Sequence, residues 1–121
     1  MIRRFVLSAA LAVAFAPAAF TQQPPTWVAI ASDGAGLWGL SVGMADREAA
    51  EQAALGECGV YCKLKFTSQA RCVAYAFSPT GRAEGFSAGP TRPDVEQQAW
   101  AECNANVPAN SCRVQSARCF E

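Results

Sequence analysis

The chain says most things twice. "AEQAALGEC" at 50–58 is echoed by "VEQQAWAEC" at 95–103, and "WVAIA" at 27–31 by "CVAYA" at 72–76. Gly39-Leu40-Ser41-Val42-Gly43 returns as Gly85-Phe86-Ser87-Ala88-Gly89, and "SQARC" at 68–72 returns as "QSARC" at 115–119. The echoes lie about 45 residues apart, which marks an internal repeat. Two copies are too few for a stacked array, which needs about three. The expected solution is one pseudo-symmetric domain over 27–121, built from repeats 27–71 and 72–119.

Each copy runs through the same local signals. Trp27 to Ser32 is apolar and strand-prone, Asp33-Gly34-Ala35-Gly36 is a turn, and Leu37 to Gly43 returns as a second strand. Asp46 then caps a helix rich in alanine, with Ala50, Ala54 and Cys58 on one face and Gly59 at its end. Cys62, Leu64 and Phe66 alternate with Lys63 and Lys65, the pattern of a half-buried strand. In the second copy Val73 to Phe77, a turn at Ser78-Pro79-Thr80-Gly81, and Arg82 to Gly89 form the hairpin. Thr91 caps a helix with Pro93 in its first turn, Val95, Ala99, Trp100 and Cys103 form its buried stripe, and Cys112 to Cys119 is the last strand. The fold class is α+β: a duplicated ββαβ unit, mainly antiparallel sheet, with two helices and disulfide crosslinks.

The six cysteines all lie after residue 57. The N-terminus explains how they would oxidise. Arg3 and Arg4 precede an apolar run from Phe5 to Phe15, and small residues follow, the layout of a secretory signal peptide. The run is shorter than the ~20 residues of a membrane span. Ala16 and Ala18 occupy the −3 and −1 positions of a cut after Ala18, so 1–18 reads as signal peptide and 19–26 as a flexible lead. In an exported domain this small, an even number of cysteines reads as a disulfide framework. Cys58 ends the helix and Cys62 starts the next strand, so they meet across one turn. Cys103 and Cys112 meet likewise in the second copy. Cys72 and Cys119 remain, one per half, and a bond between them is expected to tie the halves together.

Candidate chemistry is sparse. Gly39-Leu40-Ser41-Val42-Gly43 spells the elbow that presents a hydrolase's serine, and Ser87 repeats it. Such a serine needs a base, and the chain has no histidine. Alternation instead puts Gly39, Ser41 and Gly43 on one strand face, as it does Gly85, Ser87 and Gly89, and a face without bulk lets an alanine-rich helix lie close. Arg47 and Glu51, and Arg92 and Glu96, are spaced as solvated helical ion pairs. Asp46, Glu48, Glu51 and Glu57 form no paired carboxylate site. The cysteine spacings are unlike zinc knuckles. Among the aromatics, Trp100 is expected in the core and Trp38 is the best exposed candidate.

This ordered set resembles a bacterial exported family known as domain of unknown function 4189. The resemblance rests on Trp27-Val28-Ala29-Ile30-Ala31, the Gly39 to Gly43 strand, Ala50 to Cys58, the Cys62 strand, and Cys72-Val73-Ala74-Tyr75-Ala76. Val28 and Val73 replace glycines such sequences would carry, which implies a slightly wider strand contact. The resemblance implies export and a compact crosslinked domain, and it supplies no catalytic residue, cofactor or metal.

The ten Lys and Arg balance the ten Asp and Glu. Loss of Arg3 and Arg4 leaves a slightly acidic chain without a basic block, so neither nucleic acid nor, after signal cleavage, a membrane is an expected partner. The expectation is a non-enzymatic binding protein, periplasmic or secreted, without cofactor. It would act on another protein of the envelope or exterior, as an inhibitor or immunity-type protein does. Trp38, Arg47, Glu51, Arg92 and Glu96 are its candidate binding residues. The alternatives are a hydrolase using Ser41 or Ser87 and a structural envelope component. The mature protein is expected to begin at Ala19 in the periplasm or medium. Intact mass of the exported chain checks this, and Met1 retained in a membrane fraction contradicts it.

Overall fold

The computed structural model describes residues 26–107 and 110–121. The expected signal peptide at 1–18 and all but the last residue of the lead at 19–26 lie outside them. Thr26 is bound at its backbone: its carbonyl accepts the Ala70 N–H at 3.1 Å.

The elements follow the duplicated order: β1 (Trp27–Ser32), β2 (Trp38–Met44), α1 (Arg47–Cys58), β3 (Lys63–Gln69), then β4 (Cys72–Ser78), β5 (Ala83–Gly89), α2 (Arg92–Asn104) and β6 (Arg113–Cys119). The helices start where their caps dictate. The Asp46 carboxylate accepts the Ala49 N–H at 2.8 Å, and the Thr91 hydroxyl oxygen accepts the Asp94 N–H at 3.4 Å. Helix α1 stops at Gly59, whose φ of +115° lies where side chains rarely go.

Each half keeps its own three-stranded antiparallel sheet, β2-β1-β3 in the first and β5-β4-β6 in the second. One face of each sheet carries its helix. Ala29, Ala31, Ala50, Ala54 and Cys58 make the first helix–sheet core, and Ala74, Ala76, Val95, Ala99 and Cys103 lie in the second. The opposite faces meet each other: Val28, Ile30 and Leu40 pack on Val73, Tyr75 and Phe77. The layers therefore run helix, sheet, sheet, helix. Strand alternation produces this directly, because neighbouring residues of β1 and β4 serve different cores. Val28 and Val73, standing where the family resemblance implied glycine, are both fully buried between the sheets.

Four expectations need correction. Leu64 and Phe66 do not share a face. Ile30 pairs with Phe66 while Ala31 pairs with Leu64, so Lys65 is the extra residue of a β-bulge, and Leu64 turns to the helix side, 36% exposed. The second half repeats the device at Gln115, between the pairs Tyr75 with Ser116 and Ala76 with Val114. Gly43 leaves the face of Gly39 and Ser41 for a similar reason. The β1–β2 register shifts between Trp27 and Ala29, Gly43 takes φ +69°, and a side chain there would collide with the Phe120 ring. Trp100 is not core: Val95, Ala99 and Cys103 stack four apart and are fully buried, whereas Trp100 falls one position round the helix and is 41% exposed.

The fourth correction concerns the crosslinks. The three bonds are Cys58–Cys62, Cys103–Cys112 and Cys72–Cys119. The first two close the helix-to-strand loops as expected. The third joins cross-strand neighbours of β4 and β6, inside the second sheet, and does not tie the halves. The echo of "SQARC" in "QSARC" is out of structural register. In β1 and β3 the corresponding pair is Trp27 with Gln69. The halves are held together by the inter-sheet core instead.

Loop entropy ranks the bonds. Cys72–Cys119 closes a separation of 47 residues and Cys58–Cys62 one of 4. Replacing Cys72 and Cys119 together by serine should cost about 4 kcal/mol, against about 2 kcal/mol for Cys58 and Cys62. Urea unfolding of the two double variants measures the difference. Equal losses would show that loop length does not set their contributions.

Candidate functional site

The serines of the two Gly-x-Ser-x-Gly stretches point into helix–strand contacts. Ser41 is 6% exposed and Ser87 is 5% exposed. The Ser41 hydroxyl donates to the Ala50 carbonyl at 2.7 Å, and the Ser87 hydroxyl donates to the Val95 carbonyl. Gly39 and Gly85 make that approach: a side chain at either would collide with the backbone of Ala54 or Ala99. No lysine or carboxylate bonds to either serine among the described residues. The face reads as a helix seat.

The predicted surface residues do not gather into one site. Trp38 is half-buried. Its ring lies 6.3 Å from Tyr75 and 5.9 Å below the Arg118 guanidinium, so it belongs to the rim of the inter-sheet core. Arg47 does not pair with Glu51. It lies over Trp27 at 5.2 Å, while Glu51 accepts the Thr67 hydroxyl at 3.2 Å. Arg92 is exposed and Glu96 half-buried on α2, and no ion pair joins them among the described residues. These two helical pairs sit in different halves, on the outer layers.

An unforeseen polar site lies at the seam. The Arg118 guanidinium grips the Glu57 carboxylate with two bonds, at 2.9 and 2.7 Å. It also donates to the Leu40 carbonyl at 3.0 Å, and Glu57 accepts the Leu40 N–H at 3.4 Å. Leu40 is on the edge strand β2, so one ion pair satisfies both of its outward backbone groups. It also joins α1 of the first half to β6 of the second. The Arg118 bond holds Glu57 below its ordinary pKa, and Glu57 in turn raises that of Arg118. The only sequence signal was an arginine in the second "SARC" echo, which carries no hint of a partner 61 positions away.

A second polar cluster lies where the hairpins turn. The Ser32 hydroxyl donates to Glu84 at 2.7 Å, across the two halves. Tyr75 is fully buried beside them, its hydroxyl has no hydrogen-bond partner among the described residues, and burial pushes its pKa well up. A cleft of about 770 Å³ opens near this end between Phe77, Pro79, Thr80, Ser111 and Arg113. No group of three or more metal-ligating side chains gathers among the described residues.

A family model described as a domain of unknown function (DUF4189) matches residues 27–119. The chain belongs to that family. The match spans both repeats of this DUF4189 domain, from the first residue of β1 to the last of β6. No curated protein and no solved structure matches the chain.

The Glu57 carboxylate makes the seam sensitive to acid. Its depressed pKa means the contribution is whole above the ordinary carboxylate range and is lost as pH falls through the folded value. Both side chains are more than a third exposed, at 39% and 38%, so the pair is worth no more than about 1 kcal/mol. Glu57→Gln should therefore unfold at lower urea than the wild type at pH 7, and the gap should shrink as pH falls below the ordinary carboxylate range. A gap that is unchanged or wider in acid contradicts the assignment.

Proposed function

We propose that this DUF4189 domain is a small exported binding protein that acts on another protein of the bacterial envelope or exterior. The observation that carries this is the treatment of its surface loops. Both helix-to-strand loops are closed by disulfides, Cys58–Cys62 and Cys103–Cys112. Such loops lose little freedom on binding, so more of the contact energy appears as affinity. Three disulfides also suit an oxidising compartment, which fits export. The helix-seat geometry of Ser41 and Ser87 gives no support to the hydrolase alternative, since each hydroxyl is buried and bonded to a helix carbonyl. Inhibition of an envelope enzyme is the specific form this reading takes, because a rigid, crosslinked domain suits the blocking of a site.

The mature chain, immobilised and passed over periplasmic extract, should retain one defined protein at micromolar concentration. Retention of none sinks the proposal. A serine-reactive phosphonate probe should leave the wild type unlabelled. Labelling that disappears in Ser41→Ala or Ser87→Ala would establish the hydrolase instead.

A further inference from the structure

The two disulfide-closed loops occupy equivalent places in the repeat but treat their apolar residues oppositely. In the second, Val107 folds inward, 8% exposed, and its side chain fills the space where a Gly81 side chain would stand. In the first, Val60 is 92% exposed and Tyr61 83% exposed, far beyond any other large apolar side chain described. These two stand at the tip of a tight turn. The Cys62 N–H donates to the Gly59 carbonyl at 3.1 Å, and the Gly59 N–H donates to Leu55 at 3.0 Å. The fold therefore holds the tip rigidly while giving Val60 and Tyr61 nothing to pack on. An apolar pair fixed outside the core is the mark of a contact surface.

The surroundings narrow the partner. Lys63 and Lys65 follow the tip on β3, and both are exposed. The nearest acid in sequence, Glu57, is neutralised by Arg118. Beside the tip lies a shallow cleft of about 400 Å³, lined by Gln52, Leu55, Gly56, Gly59, Val60 and Cys62. A side chain built on Gly56 or Gly59 would meet nothing, so the cleft is open.

We infer that the Cys58–Cys62 loop is the docking element of this protein, with Val60 and Tyr61 entering an apolar pocket on a partner protein whose rim carries carboxylates that face Lys63 and Lys65. Tyrosine is a preferred anchor at the centre of such contacts, and rim charges set the rate and salt dependence of association. The small cleft beside the tip receives a side chain from the partner in return. This rests on the binding-protein reading and adds the site and the chemistry of its partner.

The test uses the protein retained from periplasmic extract, purified and titrated against variants of the full mature chain. Tyr61→Ala should weaken its Kd at least tenfold. Lys63→Glu with Lys65→Glu should weaken it and reverse its salt dependence, so that added salt strengthens binding. Trp100→Ala, on the exposed face of α2, should stay within twofold. All the substituted side chains are exposed, and intact mass with the three disulfides formed verifies folding. A partner that binds Tyr61→Ala within twofold of wild type overturns this inference and leaves the binding-protein reading standing. Failure to retain any partner overturns both. Wild-type binding to phosphatidylglycerol vesicles that Tyr61→Ala removes, or self-association that it removes, overturns the protein pocket in favour of a lipid surface or a second copy.

Discussion

Each helix rests on its hairpin at a distance that only a missing side chain allows. Gly39 lies under Ala54 and Cys58, and Gly85 under Ala99 and Cys103, with backbone against backbone. At that separation a serine hydroxyl two residues along reaches a helix carbonyl, Ser41 to Ala50 and Ser87 to Val95. The glycine sets the approach, and the serine turns it into a bond that a buried hydroxyl needs. Helix position then decides the crosslinks. Cys58 and Cys103 end their helices against the strand and are held beside the start of the next one, where Cys62 and Cys112 stand. A larger residue at Gly39 or Gly85 would lift the helix and with it the hydroxyl bond and the loop closure.

With helices on the outer faces, the inner faces can only bury each other. The small residues again divide the work. Alanines of β1 and β4 face the helices, where space is short, and Val28, Ile30, Val73 and Tyr75 face the inter-sheet gap, where it is not. Tyr75 touches Phe77 and Phe86 as well as Trp38, so one ring organises the aromatic part of this core. Two three-stranded sheets also leave edges, and each needs managing. β2 hides its Leu40 edge groups beneath Glu57 and Arg118, and β3 carries lysines and a bulge. The ion pair is weak as a source of stability. Its value lies in satisfying an edge and orienting one half on the other.

What could be read in advance was local or repeated. Caps at Asp46 and Thr91, the Gly-x-Ser-x-Gly seat, the ββαβ order and the pairs Cys58–Cys62 and Cys103–Cys112 follow from short-range chemistry or from its recurrence, and Cys72–Cys119 is what those two pairs leave over. The failures are failures of register. A bulge at Lys65 or Gly43 adds one residue to a strand, and no composition rule marks where it falls. Trp100 misled because its neighbours at 99 and 103 are core, and one helical position separates a buried face from an open one. The surroundings of Trp38 and the role of Arg118 were hidden for a longer-range reason. Their contact joins the two halves, and nothing within either repeat specifies how the repeats face each other. The same gap hid the true role of Cys72–Cys119, since matching "SQARC" to "QSARC" aligned letters that the sheets do not align.

Duplication makes the molecule its own control. The demands of the scaffold act on both halves alike, and where they act the halves agree: Gly39 with Gly85, Ser41 with Ser87, Ala54 with Ala99, Cys58 with Cys103. Where the halves differ and the residue is buried, a local packing reason is at hand, such as Phe120 over Gly43 or Val107 against Gly81. Where they differ and the residue is exposed, the scaffold has no use for the difference. Val60 and Tyr61 are in that class. Burying them is within reach of this fold, since the matching loop buries its own valine, and leaving them in water forgoes stabilisation of roughly 1.5–3 kcal/mol for each large apolar side chain. A domain small enough to need three crosslinks can ill spare that much, and this cost is what supports the docking role proposed for the exposed pair.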